Sequence, residues 1–202
     1  MRKNTITQLS LLLTVFLVLG ACRKDSNPRL PDATSSGANT AGVLIDGELW
    51  RPVPYSCSVG FGIFPQLIKE IGSFGYYPND KVLWITVRFC GKEKGDLLTL
   101  NIANYNGPGK YICSESGFVS SLPNYSDKPV SHIEFLNGQV GDIPRTYVSG
   151  YGVVASITIA KLDTISKPSF VSGTFEGNLK RISNNQDTIR MTSGRFDIVN
   201  KQ

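Results

Sequence analysis

Val82-Leu-Trp-Ile-Thr-Val-Arg-Phe-Cys90 sets Leu83, Ile85, Val87 and Phe89 at alternate positions, with Trp84, Thr86, Arg88 and Cys90 between them. Successive side chains of an extended strand point to opposite faces, so this alternation predicts a strand with one apolar face buried. Outward along the chain the pattern returns at Leu98, Leu100 and Ile102, and at Ile133 and Phe135. It returns again at Val153, Ala155, Ile157 and Ile159, and at Val171, Phe175, Phe196 and Ile198. Between these runs stand Asp46-Gly47, Pro78-Asn-Asp80, Asn106-Gly-Pro-Gly109, Asn137-Gly138 and Asn184-Asn185. Gly and Asn supply the positive φ that tight hairpin turns require. Pro65-Gln-Leu-Ile-Lys-Glu-Ile71 reads as strand running into Phe74-Gly-Tyr-Tyr77, because Gly72 and Gly75 weaken any continuing helix. The expectation is all-β: a single antiparallel β-sandwich or barrel built of hairpins, over residues 42–202.

The N-terminus has a different logic. Arg2 and Lys3 precede the apolar run Leu9 to Leu19, which ends in Leu19-Gly-Ala-Cys22. The order of charge, apolar run and small residues is that of a secretory signal. Ile6 to Ala21 falls short of the ~20 apolar residues of a bilayer span. Leu19-Gly-Ala-Cys22 resembles the bacterial lipobox, whose Cys receives the lipid. Residues 1–21 are therefore expected to be removed and Cys22 to be lipidated. Several acyl chains together, at ~0.8 kcal/mol per buried methylene, hold a protein stably on a membrane. Residues 22–41, rich in Pro, Ser, Asn and charge, are expected to form a flexible tether. Its reach would be roughly 25 Å root-mean-square.

Composition limits the function. Of 202 residues, 18% are charged and 41% apolar, with 20 Gly and 11 Pro, which suits a turn-rich globular domain. Loss of Arg2 and Lys3 leaves 19 basic and 16 acidic side chains, thinly spread, and no nucleic-acid partner is expected. The single His cannot supply the three or four protein ligands of a zinc site. No metal, no cofactor and no catalytic residue is assigned. His132 and Glu134 share a face by alternation, expected to be outward, where they would act as a surface charge pair.

Three segments resemble a group of Bacteroidota lipoproteins that carry no established activity. They are Ala41-Gly-Val-Leu-Ile-Asp-Gly-Glu-Leu-Trp-Arg-Pro52, Gly109-Lys-Tyr111, and the closing runs Ser156 to Asp163, Val171-Ser-Gly-Thr-Phe-Glu176 and Thr192-Ser-Gly-Arg-Phe-Asp197. In that group an Asn-Gly-x-x-Trp hairpin opens the domain, and strands of the type seen at Val171–Glu176 and Gly194–Asp197 close it. Gly177 stands where that group usually has an aromatic. The resemblance implies a β-rich fold and an envelope location, and transfers no catalytic residue.

Once Cys22 is lipidated, Cys57, Cys90 and Cys113 remain in a compartment that permits disulfides. If Asn106 to Gly109 turn a hairpin, Cys113 points into the core about five residues along the sheet from Cys90, roughly 17 Å at strand rise. That exceeds disulfide reach, which leaves Cys57 and Cys90 as the candidate pair; the alternative is three unpaired thiols. Trp50, Tyr55, Phe61 and Phe64 crowd around the Gly- and Pro-rich loop Arg51 to Pro65. Rings on a loop add contact area at little entropic cost, so these four form the candidate binding surface, against the alternative that they are core. The expected role is a lipid-anchored protein of the cell envelope, in the outer membrane, acting as a non-enzymatic binding module for a glycan or an envelope protein. The alternatives are a glycan-acting hydrolase and a purely structural envelope component.

Overall fold

A computed structural model describes residues 29–52, 71–90, 95–114, 130–138, 145–150 and 152–200. Eleven strands account for most of them. They are β1 (Thr40–Ile45), β2 (Glu48–Trp50), β3 (Gly72–Tyr77), β4 (Val82–Cys90), β5 (Gly95–Ile102) and β6 (Gly109–Cys113). There follow β7 (His132–Asn137), β8 (Arg145–Val148), β9 (Ala155–Asp163), β10 (Ser169–Arg181) and β11 (Asn184–Asn200). No helix occurs among the described residues. Every strand pairing is antiparallel. The fold is all-β, a curled antiparallel sheet that forms a half-barrel, as the alternation of apolar residues requires.

The sheet runs β2-β1-β11-β10-β8-β7-β5-β4-β3, with β9 on β10 and β6 on β9. The length of β10 makes the branch possible: Phe170 to Gly177 pair with β9, and Lys180 and Arg181 pair with β8. The curl brings β3, at one end of the path, against β11. Asn200 on β11 accepts from the Phe74 N–H through Oδ1 at 3.2 Å and donates from Nδ2 to the Phe74 carbonyl at 2.8 Å. One amide side chain thus meets both backbone groups of a β3 residue, as a neighbouring strand would.

Inside the curl lie the residues that the alternation selected. Leu83, Ile85, Val87, Phe89, Leu98, Leu100, Ile102, Ile133 and Ile157 are at most 1% exposed. Each such side chain contributes about 1.5–3 kcal/mol by leaving water. Trp50 on β2 reaches across the interior to Phe135 on β7, edge to face, with centroids 5.5 Å apart. Asp46 (φ 50°) and Gly47 (φ 84°) turn β1 into β2, and Pro78 to Lys81 turn β3 into β4, both where the turn residues stand.

Three expectations are corrected. Asn106 to Gly109 do not fold β6 back on β5. Instead β6 crosses to β9, with Cys113 opposite Ala155, and the Tyr105 and Tyr111 rings stack at 5.8 Å beside the crossing. The last turn falls at Ile182 and Ser183, before Asn184-Asn185, which already belong to β11.

The third correction concerns the tether. From Leu30 onward the stretch expected to be free is seated on the outer face of the sheet. Asp197, 1% exposed, accepts from Thr34 Oγ1 (2.7 Å) and from the N–H groups of Ser36 (3.1 Å), Gly37 (3.0 Å) and Ala38 (3.0 Å). Arg195 donates to the Pro31 carbonyl at 2.7 Å. Pro31 and Leu30 lie over Gly42, where a Cβ would come within 2.8 Å of Pro31 Cδ. Thr40 and Ala41 are already part of β1. The stretch has little apolar surface, and it is held by a buried carboxylate instead.

Candidate functional site

A local irregularity in β11 shapes the outer face next to this arm. Phe175 pairs with Gly194 and Gly177 with Met191, so β11 spends three residues where β10 spends two. The same excess appears against β1, where Gly42 pairs with Arg195 and Leu44 with Thr192. Met191 and Phe196 both point into the core although they are five positions apart, which an unbroken alternation forbids. The extra residue is Ser193, in left-handed geometry at φ 54°. Bulges of this kind bend a strand and re-aim its side chains.

Two adjoining hollows lie on the face so bent. One, of about 260 Å³, is lined by Ala33 of the arm and by Ser156, Thr158, Thr174, Glu176 and Arg195 among others. The other, of about 290 Å³, is lined by Lys110, Ile112, Val154, Asn178 and Arg190 among others. Ser156 and Glu176 belong to both, so the hollows form one groove across β6, β9, β10 and β11. Gly177 permits its floor. At φ 146° it brings β10 so close to β9 that a Cβ would lie 2.3 Å from Ala155 Cα. A side chain of any size has no room there.

The groove is polar with an apolar lip. Lys110 Nζ approaches Glu176 Oε1 at 3.9 Å, with both side chains more than half exposed, so the pair is weak. Ile112 and Val154 are 54% and 55% exposed, unusual for large aliphatics on a sheet. Arg195 spans from the groove to the arm through its bond to Pro31.

The residues singled out from sequence fall elsewhere. Trp50 is half-buried and packed on the core, so its ring does not stand on a surface loop. Tyr55, Phe61 and Phe64 lie outside the described residues, as do Cys22, Cys57 and the Cys90 side chain. Cys113 is a free thiol, fully buried as expected, and burial pushes it up to about 12.

His132 is 5% exposed, which corrects its expected place on an open face. It does alternate with Ile133 and Phe135, but that face is covered at this point. Its Nδ1 lies 2.9 Å from the Val130 carbonyl. Burial lowers the His132 pKa, against the raising effect of that bond, and burial raises the Glu134 pKa. Both shifts favour the neutral forms, so the two do not behave as the expected surface charge pair.

Sequence reasoning missed the groove because its residues are the outward members of ordinary strands. The available signal was the five-residue interval between Met191 and Phe196, with Ser193-Gly194 inside it. Among the described residues no group of three His, Cys, Asp or Glu side chains is placed to hold a metal ion, and no helix is long and apolar enough to cross a membrane. Comparison with protein-family models, curated proteins and solved structures finds no match.

Proposed function

We propose that this chain is a lipid-anchored envelope protein whose β domain is a non-enzymatic binding module, with the groove at the β11 bulge as its ligand site. The observation that carries the proposal is the bulge itself. Two adjoining hollows lie on the sheet face beside it, both lined by hydroxyls and charges, and exposed Ile112 and Val154 stand at the second. Each hollow is just short of the ~300 Å³ at which ligand pockets begin, and the two together fall within that range. The described walls offer one carboxylate, Glu176, whereas two-carboxylate glycoside hydrolysis needs a facing pair.

The seated arm gives the anchor a geometry. If Cys22 carries the lipid, Leu30 lies eight positions further along, and at ~3.3–3.6 Å per residue those steps span at most about 29 Å. The groove, whose wall includes Ala33, is then held close to the membrane. Replacing Cys22 with Ser should release the protein into the soluble fraction. Continued membrane attachment of Cys22→Ser would refute the anchor. For the site, the Cys22→Ser chain should bind glycans on an array, and Thr174→Trp, which fills the groove from an exposed position, should abolish that binding with circular dichroism unchanged. Equal binding by Thr174→Trp would place the ligand elsewhere.

A further inference from the structure

We infer that the ligand of this groove is an acidic oligosaccharide, its acid groups met by Arg190, Arg195 and Lys110. The inference rests on the groove being the binding site. Its charge is unbalanced: three cations line it against one carboxylate. Glu176 makes only a weak, exposed pair with Lys110, and neither arginine makes an ion pair among the described residues. Arg195 commits one N–H donor to Pro31, which fixes the direction of the guanidinium while its other donors stay free. A fixed, planar fork of donors suits carboxylate or sulfate oxygens.

The cations are separated in a way that sets the ligand's form. Arg190 and Arg195 lie on the same strand opposite Asn178 and Thr174, four residues apart on β10 and so about 13 Å apart at strand rise, one lining each hollow. Beside them in the groove stand Thr158 and Thr174, level with Arg195, and Ser156 and Thr192, further toward Arg190; all four hydroxyls both donate and accept. A ligand that carries negative charge at intervals, with neutral hydroxyls between, complements this arrangement along its length. A single small anion would satisfy only one end.

A peptide is the weaker fit. Peptides are commonly captured by adding a strand to a free edge, where backbone groups are unpaired. Here β9 and β10 lie inside the sheet, with their ladders formed on both sides, and β11 is paired to β1 and β10; β6 pairs only with β9 among the described residues, so its open edge borders the groove and does not run along its floor. The groove therefore offers side chains, not backbone, and side-chain hydroxyls with cations are what an acidic sugar requires.

The test is isothermal titration of the Cys22→Ser chain with four probes: trigalacturonic acid, a chondroitin sulfate hexasaccharide, neutral maltotriose and hexaglutamate. The two acidic sugars distinguish carboxylate from sulfate recognition. At least one should bind, and roughly tenfold more tightly than maltotriose or hexaglutamate. Its affinity should fall at least about fivefold between 50 and 500 mM NaCl, as the screening length shortens. Arg190→Gln and Arg195→Gln should each weaken it roughly tenfold, the effect of one charge-assisted bond. Glu176→Gln should strengthen it.

Maltotriose binding that Thr174→Trp abolishes but the arginine variants do not affect would overturn the acidic ligand and leave the groove standing. Acidic-sugar binding untouched by all three variants would overturn both. Preference for hexaglutamate, or no binding by any probe at millimolar concentration, would overturn the inference.

Discussion

Replacing Asp197 with Ala should detach the N-terminal arm and destabilise the domain. In the folded protein the carboxylate is 1% exposed and accepts from one hydroxyl and three backbone N–H groups, all supplied by Thr34 to Ala38. A hydrogen bond to a charged group contributes about 1.5–3 kcal/mol, but four on one carboxylate are not additive. The loss has a ceiling. Once the acceptor is gone, the arm can peel away and give its N–H groups to water, so the cost cannot exceed the free energy of seating the arm. That free energy includes the cover that Gly37 gives to Phe170 and Val199, each 7% exposed. A loss of about 2–4 kcal/mol follows, or roughly 5–15 °C in Tm at 2–4 °C per kcal/mol. Asp197→Asn keeps one acceptor oxygen and turns an amide against the remaining donors, so it should fall between Ala and wild type. Urea unfolding of the Cys22→Ser chain measures the stability, and hydrogen exchange at Ser36, Gly37 and Ala38 reports the arm directly. If Asp197→Ala lies within about 0.5 kcal/mol of its parent, and those amides exchange in the parent as fast as in an unstructured peptide, the arm is a free tether after all.

Asp96 should make stability depend on pH. Burial raises its pKa from 3.8 to about 6, against the lowering effect of the Gly138 N–H bond at 3.0 Å. A carboxyl whose folded pKa is raised is stable in its neutral form, so stability is greatest below the unfolded pKa, falls as pH rises from about 4 to 6, and is flat above. At 1.36 kcal/mol per unit the penalty above that range is up to about 3 kcal/mol. Asp96→Asn should thus stabilise at pH 8 and do nothing at pH 4; a pH-independent difference in urea midpoint would refute this. Cys113 should resist a water-soluble disulfide reagent in the native protein and react on unfolding, and prompt native reaction would contradict its burial. Trp50→Ala should cost about 3–5 kcal/mol, because the ring fills the interior against Phe135; an unchanged melting temperature would restore it as a surface residue.

The core was legible because alternation is a local property. Leu83 to Phe89 and Leu98 to Ile102 declare their buried face within their own segments, and the structure buries each of them. Pairing was less legible. Asn106-Gly-Pro-Gly109 has the chemistry of a turn, but turn chemistry does not say which strand the next segment meets, and β6 meets β9. Asp197 was missed for a related reason. In sequence it is an outward polar residue of a strand, and the groups that bury it lie 159 to 163 positions away. His132 failed in the same manner: its face was read correctly, while the covering of that face is tertiary. The aromatic count pointed to a loop surface, yet Trp50 belongs to the interior, since large rings serve cores as readily as surfaces.

Three outward residues of β11 join the groove to the N-terminal arm. Beyond the bulge the strand recovers its alternation, so Ser193, Arg195 and Asp197 share the outer face. Ser193 creates the bend and lines the groove, Arg195 reaches from the groove to Pro31, and Asp197 holds Thr34 to Ala38. Between them runs the arm, which supplies Ala33 to the groove wall. Loss of the arm would therefore remove a wall of the groove and free the guanidinium of Arg195 in one event. Conversely, a ligand that engages Arg195 in its arm-bound orientation favours the seated arm, because it binds that state better than the detached one. A segment that composition marks as a mere spacer is in this way part of the groove wall, and the N-terminal arm and the groove meet on one strand.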